Sequence, residues 1–151
     1  MFFQHPAVAL AAVVGQPDAY AGELPVAYVQ LKPGASIEAD ELTAFVRERT
    51  PERAAVPGNL YFVDALPMTG VGKIFKPTLR WDAAQRAVTK MVADLPPAGG
   101  SIAVSVAAHA VHGSLITVVV SAVEAGLRAA LEQRLHERLS PLVMAHEVVW
   151  A

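Results

Sequence analysis

Residues 7–34 read AVALAAVVGQPDAYAGELPVAYVQLKPG. The run AVALAAVV at 7–14 is short and apolar, and Gly15-Gln16-Pro17-Asp18 follows it. It reads as a buried strand ending in a turn. Gly22-Glu23 opens a second strand over 24–31, which Lys32-Pro33-Gly34 closes. Beyond it, a helix is expected over 37–49, with Leu42, Phe45 and Val46 as its apolar stripe and Pro51 forbidding continuation. LYFV at 60–63 is a third short strand, and the loop Pro67-Met68-Thr69-Gly70-Val71-Gly72-Lys73 comes next. Pro77 suits the first turn of another helix, to about residue 92. Trp81, Ala84, Val88, Met91 and Val92 form its inner face, while Asp82, Arg86 and Lys90 stack four apart outside.

DLPPAGGS at 94–101 has the composition of a linker. After it come strands over 102–111 and 115–120, then a helix with Leu127, Leu131, Leu135 and Leu139 at i+4 spacing, stopped by Pro141, and a last strand over 142–150. The order strand, strand, helix, strand repeats that of residues 7–64, although the residues themselves match poorly. The expected class is α+β: a small mixed sheet with helices, in which a ββαβ core is followed by a lysine loop and a helix, and then an appended ββαβ unit.

Composition narrows the functions open to such a chain. Its 151 residues are 54% apolar and 17% charged, with a net charge of −2, enough apolar content for a real core. The balance lacks Lys/Arg blocks, and the aromatic residues are scattered, which argues against nucleic acid as a partner. Zero cysteines exclude a disulfide framework, an Fe–S cluster, a Cys-type zinc site and a thiol nucleophile. Residues 1–6 have no basic n-region, so a signal peptide is not expected and the default compartment is the cytoplasm. The uncharged run 95–123 is long enough to span a bilayer on paper. It contains Pro96-Pro97, Gly99-Gly100 and two histidines, and it alternates at period two, so two strands fit it better. His109 and His112 would lie on opposite faces of a strand, so no metal site is expected.

The segment richest in chemistry is LPMTGVGKIFKPTLR at 66–80. Gly70 and Gly72 free the backbone to turn tightly, and Lys73 follows with a compact positive charge on a flexible stem. Such an arrangement suits a phosphate or carboxylate whose negative charge grows during a reaction. It is not a phosphate-cradling P-loop, because Pro67 and Ile74 stand where that motif needs Gly and Ser/Thr. Read on local chemistry alone, the same residues also make an ordinary surface turn with a solvated lysine.

The segments HPAV, AAVVGQPD, AGELPVAYVQLKPG, DELTAFVRER, LYFVDALP and LPMTGVGKI, in this order and spacing, resemble the carboxy-terminal domain of AMP-forming acyl-CoA synthetases. The resemblance covers residues 5 to about 92. It implies a lid domain over 1–93, entered partway through, then the linker 94–101 and an appended unit over 102–151 of unassigned role. It also implies that Lys73, on a loop with Thr69, Gly70 and Gly72, enters the active site of a larger amino-terminal adenylation domain. There the lysine would stabilise charge as a small carboxylic acid attacks the α-phosphorus of ATP, held with Mg mainly by that other domain. Arg47, Arg49 and Arg53 lie where relatives carry basic residues that approach the CoA nucleotide phosphate. Their bland reading is a solvated helix end, where cations suit the dipole. The implied reaction is carboxylate + ATP + CoA giving acyl-CoA + AMP + pyrophosphate, with the isolated chain inactive.

This chain departs from the family pattern at two places. Ala55-Val56-Pro57 replaces a basic K-x-P element, and Phe75-Lys76-Pro77 replaces paired arginines. The rival expectation is a non-catalytic interaction module. Residues 101–151 carry only four acids and three bases, and self-association as a homo-oligomer would run through 102–151.

Overall fold

A computed structural model of the chain describes residues 1–151. Contacts divide it into two compact units, Met1–Gln16 with Leu24–Arg80, and Pro17–Glu23 with Trp81–Ala151. The fold class is α+β, as the sequence indicated, with two small mixed sheets.

In the first unit, β1 (Val8–Asp18) and β2 (Gly22–Leu31) are neighbouring strands joined by a short tip. The Lys32 N–H donates to the Ala7 carbonyl at 2.9 Å where the pair opens. Helix α1 (Ala39–Glu48) then carries the chain to β3 (Asn59–Phe62), which runs parallel to β2 with Val26 opposite Asn59 and Val29 opposite Phe62. A parallel neighbour needs such a crossover, because a tight turn can only reverse the chain. Leu42 and Val46, one helical turn apart on α1, are buried against Ala27 and Val29, which share a face of β2. Phe2 and Val8 complete that core.

β1 differs from its sequence reading. The strand continues through Gly15-Gln16-Pro17-Asp18, where turn-forming residues had placed a stop. The turn lies one step later: the Asp18 carboxylate accepts hydrogen bonds from the Tyr20 and Ala21 N–H groups at 3.0 and 2.8 Å, and Gly22 takes a φ of 78°. The Gln16 amide is held by partners far along the chain, donating to the Tyr61 hydroxyl and accepting from Asn59. Pro17 is tolerated because β1 is an edge strand, where a missing N–H costs no ladder bond.

The second unit holds most of α2 (Lys76–Val92), then β4 (Ser101–His109), β5 (Gly113–Ser121), α3 (Ala125–Leu139) and β6 (Ala145–Trp150). β4 and β5 pair antiparallel from Ser101 opposite Ser121 to His109 opposite Gly113, and β6 lies parallel to β5. Ile116, Val118 and Val120 of β5 pack with Leu131, Leu135 and Leu139 of α3 and with Val88, Val92 and Leu95. The alternation at Ile102, Val104 and Val106 is real, for these three pack on that core. The segment 95–123 is therefore largely strand, and no helix of the chain is long and apolar enough to cross a membrane.

Three expectations shift. Leu127, in the first turn of α3, is 45% exposed and stands outside the stripe formed by the other three leucines. Leu142 turns back, its N–H donating to the Leu139 carbonyl, so β6 starts at Ala145. β4 ends at His109, and the following turn brings the His112 ring into a stack on it, centroids 4.9 Å apart. Strand alternation would have separated these rings. The His109 Nδ1 atom accepts the N–H groups of Val111 and His112, both at 3.2 Å, which folds the tip over.

Candidate functional site

The loop of residues 67–75 is a small, closed hairpin. Met68 and Ile74 form an antiparallel bridge, and the Phe75 N–H donates to the Pro67 carbonyl at 2.8 Å. Inside that rung, the Thr69 N–H donates to the Lys73 carbonyl at 2.6 Å and the Gly72 N–H to the Thr69 carbonyl at 3.0 Å. The Lys73 N–H closes on the Thr69 hydroxyl at 3.1 Å. Gly72 sits at φ 81°, the left-handed position that ends a three-residue hairpin loop and that only glycine occupies without strain.

This geometry explains the spacing. Thr69 must stand four residues before Lys73 because both its backbone N–H and its hydroxyl clamp that residue. Gly70 is exposed at the tip, with open space where a side chain would stand. Lys73 leaves the loop exposed to solvent, on a backbone fixed by two hydrogen bonds. α2 begins three residues later, with Lys76 and Arg80 one turn apart and no acidic residue in its first turn. Lys73, Lys76 and Arg80 form no ion pair. Positive charge beside a helix N-terminus favours a bound anion.

The three arginines expected to act together are separated. Arg47 and Arg53 line one cavity of ≈ 380 Å³ with Thr43, Val56, Pro57 and Gly58. Arg49 does not line it. Its guanidinium lies 3.6 Å over the Phe45 ring, donates to the Phe45 carbonyl at 3.1 Å and approaches the Glu48 carboxylate at 3.5 Å. Helical geometry accounts for the split, since Thr43 and Arg47 are four apart on one face of α1 while Arg49 lies two residues further round. The 3-10 turn at Arg53–Ala55 brings Arg53 to the same side. Thr43 was not foreseen as a site residue, although its place four before Arg47 was the signal. Arg47 and Arg53 have no carboxylate partner, so the cavity offers two unpaired guanidinium groups, a donor set that suits phosphate oxygens. None of the cavity's lining residues comes from the lysine loop.

Residues 1–73 match the family described as AMP-binding enzyme C-terminal domain, and the match ends at Lys73. Among curated proteins, the chain is 50% identical over 88 residues to a marinolic acid–CoA ligase of a Pseudoalteromonas species, an alignment covering 58% of this chain and 14% of that protein. It is 48% identical over 79 residues to an acetyl-coenzyme A synthetase of Pyrobaculum aerophilum, covering 50% of this chain and 12% of the relative. Among solved structures, apo MatB from Rhodopseudomonas palustris superposes with a TM-score of 0.50 at 32% identity, over 52% of this chain and 16% of that one. The chain thus spans only about one-eighth to one-seventh of the length of these curated relatives. With the ββαβ sheet and the hairpin as far as Lys73 inside the matched stretch, residues 1–73 are similar in sequence and fold to the AMP-binding enzyme C-terminal domain family, the carboxy-terminal domain of AMP-forming ligases.

Proposed function

We propose that residues 1–93 act as the lid of an AMP-forming acid–thiol ligase, with 94–101 as the connection and 102–151 as an appended unit. The lid works with an adenylation domain that supplies the ATP, Mg and carboxylic acid sites. The observation that carries this reading is the clamped hairpin that holds the backbone of Lys73 while leaving the residue exposed. A lysine so held enters a neighbouring domain's cleft as a fixed cation, and its ammonium offsets charge that grows as the acid's carboxylate oxygen bonds to the α-phosphorus and pyrophosphate departs. Thr69, Gly70 and Gly72 shape the loop and leave room for the nucleotide's approach. Arg47 and Arg53 receive the phosphates of CoA in the thioester step, when rotation of the lid presents the other face. Arg49, engaged with Phe45, contributes little to that step.

The test replaces the matching stretch of an acyl-CoA synthetase, through to its carboxy terminus, with residues 5–151 of this chain, so that the second core stays covered. Its two half-reactions are then measured separately: ATP–pyrophosphate exchange for adenylation, and conversion of pre-made acyl-AMP with CoA for ligation. Lys73→Ala is expected to lower exchange by about a hundredfold or more while the second half-reaction survives, the size of one lost charge-stabilising contact. Exchange unaffected by the substitution would reduce the loop to a surface turn. The isolated chain, given ATP, CoA and carboxylic acids, is expected to release no AMP.

A further inference from the structure

The two three-stranded sheets have four edges, and three of them carry features that discourage pairing with another chain. β1 contains Pro17 and ends on Asp18. β3 is only four residues long. β6 is six residues long and carries Glu147, exposed, beside His146. β4 has none of these. Its nine residues, SIAVSVAAH, hold no proline and no carboxylate or cationic Lys or Arg, and they pair with β5 at every position without a bulge. A long, regular, uncharged edge presents a row of unpaired N–H and C=O groups, the template for strand addition.

We propose that β4 is an interface for a second copy of this chain, paired antiparallel about a two-fold axis at Ser105 to give one continuous six-stranded sheet. The sequence is self-complementary about that point. Val104 falls opposite Val106 of the second copy, Ala103 opposite Ala107, and Ile102 opposite Ala108. Val104 and Val106 belong to the row already packed on the core, so the apolar layer runs on across the axis. Ala103, Ser105 and Ala107 are exposed on the other face, and their small side chains let two copies approach without a clash or a like-charge pair. Either orientation of the Ser105 amide satisfies the ladder. A residue paired with itself across a two-fold axis forms a hydrogen-bonded pair, or its neighbours on each side do. Self-association through residues 102–151 thereby takes a definite form, isologous and closed at two copies. The inference does not rest on the lid reading, and Lys73→Ala leaves it unchanged.

The intact chain is examined by sedimentation equilibrium as wild type, Ser105→Glu, Ser105→Arg and an equal mixture of the two variants. Wild type is expected at twice the chain mass of 16.0 kDa. Each single variant is expected to halve that mass, because like charges meet at the axis, and the mixture to restore it. Circular dichroism of the single variants checks that the exposed substitution leaves the fold in place. The chain has no cysteine, so Ser105→Cys supplies its sole thiol and should give a disulfide-linked dimer on mild oxidation, whereas Thr117→Cys on the central strand should not. A wild type that stays at 16.0 kDa into the high micromolar range overturns the proposal, whether the edge stays open or takes a strand from another protein. So does a dimer that Ser105→Glu leaves intact, or a mixture that does not re-form one.

Discussion

Lys73 depends on two neighbours for its position. Thr69→Val removes the hydroxyl that accepts the Lys73 N–H, a contact of about 1 kcal/mol by the usual worth of a hydrogen bond. Thr69→Ser keeps it. In the chimeric synthetase, Val at this position is expected to slow exchange several-fold and Ser to restore most of it. Gly72→Ala strains the loop through φ alone, since nothing lies within 4 Å of the added carbon, and should cost about 1 kcal/mol. The arginines divide by geometry. Arg47→Ala and Arg53→Ala are each expected to raise the KM for CoA about tenfold in the ligation half-reaction while exchange is unchanged, the size of a lost charge-assisted bond. Arg49→Ala is expected to leave both half-reactions close to wild type. Equal losses at all three positions would mean that the cavity is not the binding surface.

Among the elements, α3 is tied by one ion pair to the segment that follows α2. The Arg138 guanidinium meets both oxygens of the Asp94 carboxylate at 2.9 and 3.0 Å, and also donates to the Met91 carbonyl in the last turn of α2. The hydrogen bonds from Arg138, first of all, and those of the Asp94 backbone hold the Asp94 carboxyl below its ordinary value of 3.8, against a weaker opposing effect of burial. A carboxyl depressed in the folded state contributes stability that is present above its unfolded pKa and is lost as the pH falls through the folded one. Urea midpoints for wild type and Asp94→Asn should therefore differ at neutral pH and converge as acid protonates the pair. A difference that persists unchanged into strong acid would refute the linkage. β1 shows what sequence could and could not convey at this scale. The strand's existence was legible in its apolar run, but its end was not, because Gln16 is held by Asn59 and Tyr61, residues no local pattern connects to it.

For the whole molecule, the repeated order ββαβ corresponds to two sheets with the same connectivity, each with its middle strand between an antiparallel and a parallel neighbour. Only the first carries the lysine hairpin after its third strand. The second unit draws Val88 and Val92 from α2 and Leu95 from the segment beyond it, all three nearly inaccessible to solvent. A truncation after residue 95 removes the sheet and helix that cover them. The truncated chain is expected to lose helicity and to bind a hydrophobic dye, as exposed core does. Helix content matching that of the intact chain, without dye binding, would show that α2 needs no such cover.

The sequence by itself determined the order of strands and helices, the mixed α+β class and the loop that presents Lys73. Those features rest on short-range effects: apolar periodicity, proline and glycine punctuation, and a threonine four residues before the lysine it holds. Tertiary structure decided which residues meet. It joined Arg47 to Arg53, extended β1 past its turn formers, stacked His109 on His112 and placed Leu95 in the second core. Each of these outcomes depends on where a side chain points or on a partner outside its own local pattern, which spacing along the chain does not encode.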